Sequence, residues 1–171
     1  MPTLQLPDED ARIVALAVAY HLGRPGSEVD PDTLRRHEIG LASVERTLTP
    51  QLGSAHVEIE VSPYQLHRID EGLLGVTNEL KAYEMADRRS VVSGFEAALA
   101  RLFPALAEDA PDRADDAETA LDLVERVVLL RRRLAGAVRG AEAAIAAERE
   151  AATRAAAEAR RAQRPWWRFW G

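Results

Sequence analysis

The chain contains no cysteine. Disulfides, thiolate metal sites and cysteine nucleophiles are therefore excluded, and the absence suits a cytoplasmic protein. Aromatic side chains are scarce, at 5% of 171 residues, and all three tryptophans lie within positions 166–171. A core built largely from Ala, Leu and Val suits closely packed helices better than a β-sandwich. Long hydrophobic runs are missing too. The best, Ile13 to Tyr20, has eight residues, far short of the ~20 that cross a bilayer. The opening MPTLQLPDED lacks the positive start and cleavage site of a secretory signal.

Motifs of catalysis are absent as well. The sequence has no GxSxG elbow, no P-loop and no GxGxxG after a strand. Its histidines are His21, His37, His56 and His67, and none is part of an HExxH pair. The acidic stretch AEDAPDRADDAE (107–118) lacks the turn glycine of an EF-hand loop and reads as a solvated linker. The sequence thus offers no catalytic, cofactor-binding or metal-ligating residues, and the expectation is a protein that is not an enzyme; an enzyme of unknown type is the lesser alternative, because catalytic groups need not be contiguous in sequence.

What is present is enough for a folded domain: 47% hydrophobic and 29% charged residues. The charge is unevenly placed. Residues 1–125 hold 24 acidic and 11 basic side chains, whereas residues 126–171 hold 4 acidic and 11 basic. A basic end on an acidic chain suggests an anionic partner, or arginines on a solvated helix face.

Two short segments alternate with a period of two: TLQL at about 3–6 and HVEIEV at 56–61. Each precedes a proline and a helical pattern, a faint repeat of one strand plus one helix. The punctuation predicts four helices in residues 1–110. The first starts near Asp8 as its cap and stops at Gly23. The second starts at Asp30-Pro31 and runs to just before Pro50. The third opens at Ser62-Pro63 and carries Leu66, Ile69, Leu73, Val76 and Leu80 on one face. The fourth covers about Arg89 to Leu106, with Pro104 bending or ending its last turn. The fold class expected is mainly α, with a minor two-stranded β element and a long, partly coiled-coil-like C-terminal helix.

That last helix is predicted over residues 117–163, after an acidic linker at 107–116. It is rich in Ala and Arg, and only Gly136 and Gly140 interrupt it. Val124, Val127, Leu130, Leu134, Val138, Ala141 and Ile145 form a seam at coiled-coil spacing, which suggests packing on the domain or self-association. Beyond Ile145 nothing larger than Ala is available for burial up to residue 163, so the helix should project as a stalk. The tail, 164–171, gathers Arg164, Trp166, Trp167, Arg168, Phe169 and Trp170. It resembles the short WWRFW-like tails that follow a basic helix in diverse bacterial coiled-coil proteins, a resemblance under ten residues long that carries no activity with it.

Trp favours the membrane interface and Arg its anionic head groups; Trp and Arg are also the usual hot spots of protein contacts. The expectation is an oligomeric scaffold protein, cytoplasmic or peripheral on the inner face of the membrane, that docks through this tail to an anionic membrane surface or a partner protein. Folding back onto its own domain is a further alternative for the tail. Nucleic acid fits less well, because residues 1–60 carry ten acids and five bases; it would have to be held by the C-terminal arm alone.

Overall fold

The structure, a computed structural model, describes residues 3–27, 40–85, 90, 92–106 and 116–162. The fold is mainly α. Two strands, β1 (Thr3–Pro7) and β2 (His56–Glu60), pair antiparallel with Leu4 opposite Ile59 and Leu6 opposite Val57. Alternation decides their faces: these four side chains are buried, while Thr3, Gln5, Glu58 and Glu60 point to solvent. The outward backbone groups of Glu58 are not left bare. Gln51 accepts from Glu58 N–H (3.0 Å) and donates to its carbonyl (3.0 Å), so a side chain covers the sheet edge.

Each strand leads into a helix, α1 (Asp8–Gly23) after β1 and α3 (Pro63–Met85) after β2, and these two helices pack on one another. Between them lie α2 (Leu41–Leu48) and a 3-10 turn over Thr49–Gln51 that contains Pro50. After α3 come α4 (Phe95–Leu102), a second 3-10 turn (Pro104–Leu106) and α5 (Asp116–Ala162). One core runs through all of these layers. It joins Leu4 and Leu6 to Ile13, Leu16 and Ala17 of α1, to Leu66, Ile69, Leu73 and Leu80 of α3, to Phe95 and Leu99 of α4, and to Leu123 through Ala141 of α5.

Three boundaries depart from the sequence expectation, each for a local reason. Asp8 does not cap α1; it is the first helical residue after Pro7. Its carboxylate is engaged elsewhere, accepting from the Gly53 backbone N–H and from Arg12 Nε at 2.8 Å. The expected second helix is broken at Gly40, whose extended backbone (φ −76, ψ 135) precedes α2 at Leu41; its start at Asp30-Pro31 lies outside the described residues. The fourth helix begins at Phe95, not near Arg89, because Gly94 adopts a left-handed conformation at φ 75. Its end at Leu102 follows the expectation for Pro104, since Phe103 leaves the helical region before that proline. The linker at 107–115 lies outside the described residues.

The start of α3 shows how short-range chemistry organises long-range packing. Ser62 Oγ accepts from Gln65 N–H (3.1 Å) and Gln65 Oε1 accepts from Ser62 N–H (2.8 Å), a reciprocal capping box. The amide of Gln65 then donates to Gly40 O and Ser43 Oγ, both at 3.0 Å. One glutamine thus closes the first turn of α3 and fixes the first turn of α2 beside it.

The crossing of α1 and α3 is close because α3 carries Gly72 and Gly75 there. A Cβ on Gly72 would meet Ala17 O at 2.6 Å, and one on Gly75 would lie inside the Tyr20 ring. Tyr20 in turn stands edge-on to Phe95 at 5.9 Å, joining α1 to α4. Ala is the better helix former, yet Gly72→Ala is expected to destabilise the fold by about 1–3 kcal/mol, because the obstructing atom is backbone. Urea unfolding of the two proteins checks the sign.

Candidate interaction surface

The long helix α5 owes its length to its sequence: 47 residues with abundant Ala, no proline and no β-branched run. Two environments divide it. As far as Ile145 the seam is buried. Val124, Val127, Leu130, Leu134, Val138, Ala141 and Ile145 are all shielded, and the first six belong to the core. The helix packs chiefly on α3. The seam read from its spacing is therefore satisfied inside one chain, and a dimer built on it would first have to open this packing. From Ala146 to Arg161 every residue is exposed.

Arginines on α5 tie it to acids of the first half of the chain. Arg131 makes a two-pronged contact with Asp70 of α3, Nε to Oδ1 at 2.7 Å and Nη2 to Oδ2 at 2.9 Å. This pairing raises the Arg131 pKa above its ordinary value, with the Asp70 hydrogen bonds as the main cause. On the other flank, Arg133 reaches Asp10 at 2.7 Å and Arg126 reaches Glu9 at 3.1 Å. These acids stand in the first turn of α1, where negative charge also suits the helix dipole. The charge polarity of the sequence is thus partly internal, since three basic side chains of the second half neutralise acids of the first. The sequence reading, an anionic partner or solvated arginines, missed these internal partners; the signal available was opposite charge at unrelated positions.

The histidines are scattered. His21 is buried in α1, His56 lies exposed on β2, and His37 is outside the described residues. His67 of α3 lies 3.8 Å from Glu71 and 3.7 Å from Glu142 of α5. Among the described residues, no three His, Asp or Glu side chains are grouped to hold a metal ion. Two leucines of α5, Leu121 and Leu129, are 46% and 47% exposed, on the side away from the seam. The tail residues Arg164, Trp166, Trp167, Arg168, Phe169 and Trp170 lie outside the described residues.

Two expectations follow from these ion pairs. Asp70→Asn removes the bidentate partner of Arg131 and should cost about 1 kcal/mol in urea unfolding, modest because the guanidinium is part-exposed. The pKa of Asp8 is lowered, first by the Gly53 N–H and then by Arg12. Its contribution is therefore complete above the ordinary aspartate value of 3.8 and lost as pH falls below it. Asp8→Asn should flatten the acid limb of a stability-against-pH curve and leave its neutral shape alone.

Compared with known proteins, the chain matches no family model, no curated protein and no solved structure.

Proposed function

We propose that this chain is a non-catalytic docking protein. A helical domain carries a stiff arm, and the arm presents Arg164, Trp166, Trp167, Arg168, Phe169 and Trp170 to a surface outside the monomer, an anionic membrane or a partner protein. The observation that carries this reading is the bare second half of α5. Ala162 stands 17 residues past Ile145, about 25 Å along the helix axis. Packing does not account for that projection, because its side chains bury nothing in the chain.

Reach supports the same reading. Trp166 and Trp167 lie four and five residues past Ala162, so even a fully extended chain carries them back no more than about 14–18 Å. That is alongside the stalk, short of Ile145. The rings of Trp166 and Trp167 therefore need an external surface to be buried, whereas Trp170, eight residues past Ala162, spans up to about 26–29 Å and reaches as far back as Ile145. Trp prefers the membrane interface and Arg supplies attraction to phosphates. Among the described residues no helix is long and apolar enough to cross a membrane, so the contact proposed is peripheral.

Every tryptophan of the protein reports on this tail. Emission should be red-shifted for the protein alone at low concentration and should move blue on adding anionic liposomes, with a smaller shift for neutral ones. Emission already blue in dilute protein, and unmoved by liposomes of either kind, would count against docking by the tail.

A further inference from the structure

Charge is unevenly placed along the bare half of α5, where every side chain from Ala146 to Arg161 is exposed. From Ala146 to Glu158 the shaft carries Glu148, Glu150 and Glu158 against Arg149 and Arg154, and its apolar side chains are all Ala. Past Glu158 the balance changes abruptly. Arg160, Arg161, Arg164 and Arg168 follow with no acid among them, together with all three tryptophans and Phe169. Behind the shaft, residues 1–145 hold 25 acidic and 16 basic side chains. The chain is thus an acidic body, a near-neutral shaft and a basic, aromatic tip.

The shaft is also unsuited to lying along an anionic surface. At about 100° per residue, Glu148, Glu150 and Glu158 occupy every side but the one continuous with the seam, marked by Arg149, Ala152 and Ala156. The domain packs on that side up to Ile145. Laid on a bilayer, it would press the domain into the head groups. A helix held flat needs an apolar face to insert, and Ala supplies little.

We infer that the surface this protein fits is an anionic lipid bilayer met end-on, with contact confined to Arg160 and the residues past it, and that the shaft is an electrostatic spacer. This rests on the docking role proposed for the tail and adds its target and geometry. Arg160 stands 15 residues past Ile145, about 22 Å along the axis. Screening in ~0.1 M salt acts over about 10 Å. With the shaft upright, the domain rides about two screening lengths from the head groups while the tip touches them. Its acids need that clearance. Glu60, Glu71 and Glu142 are exposed at the end from which the shaft leaves, with half-buried Arg68 among them.

Binding of the full chain to mixed phosphatidylcholine–phosphatidylserine vesicles, followed by tryptophan emission in ~0.1 M salt, tests this. Arg160→Gln and Arg161→Gln should each weaken binding about fivefold, as for a basic residue held at the surface. Arg149→Gln and Arg154→Gln should leave it unchanged. Deleting residues 148–158 takes out three acids and two bases, so net charge alone would favour tighter binding. With only ~6 Å of shaft left, the acids of the domain reach the surface instead, and affinity should fall about fivefold. The deleted side chains bury nothing in the chain, and an unchanged urea midpoint confirms that the domain folds. Equal binding after the deletion overturns the spacer and leaves the membrane-docking tail standing. A loss at Arg149 or Arg154 as large as at Arg160 overturns the end-on contact, again leaving the tail. Equal binding to pure phosphatidylcholine vesicles overturns the anionic target. No response to any vesicle overturns the membrane altogether and leaves a partner protein for the tail.

Discussion

Burial of the α5 seam on α3 is the contact on which the rest of the structure depends. Val127, Leu130, Leu134 and Val138 lie on the inner side of one continuous helix, and each is almost wholly withdrawn from water. At roughly 1.5–3 kcal/mol for each large side chain buried, this stripe outweighs every single polar contact in the molecule. It fixes the rotation of α5 about its axis. That rotation in turn decides which residues meet Asp70, which meet Asp10 and which are left facing outward.

The ion pairs refine that placement more than they create it. Arg131 holds one flank of α5 to Asp70, while Arg126 and Arg133 hold the other to Glu9 and Asp10. Contacts on both flanks resist rolling of the helix, which a smooth aliphatic stripe resists poorly. In the first turn of α3, Gln65 serves a comparable purpose with neutral groups, locking α2 and α3 together through their first turns. Directional bonds set the geometry here, and apolar burial supplies most of the driving force.

Much of this architecture was legible in the sequence because its signals are periodic. Alternation at Leu4, Leu6, Val57 and Ile59 marked both strands, and the three/four spacing from Leu66 to Leu80 and from Val124 to Ile145 marked both long buried faces. The loss of large apolar residues after Ile145 marked the stalk. Boundaries were harder, since they turn on single backbone conformations: Gly94 at φ 75 displaced the start of α4, and the extended Gly40 set the start of α2 at Leu41. Least visible were contacts between distant positions. Nothing local in the sequence says that Asp8 is taken by Gly53, or that Gln65 reaches Gly40. The seam itself announced a helix partner without saying whose, and the answer proved to be α3 of the same chain.

The unbroken stalk has a geometric consequence of its own. A helix fixes azimuth as well as height: each residue adds about 1.5 Å and turns the chain by about 100°. Because the core grips α5 up to Ile145, the direction in which the chain leaves Ala162 is phased to the domain. Adding or removing one residue between them would swing the tail to another side while hardly altering its distance. A change of seven would shift its height by about 10 Å and its bearing by only ~20°. Variation in stalk length among proteins built this way should therefore come in steps of seven or eleven wherever the tail must face a particular side of its domain.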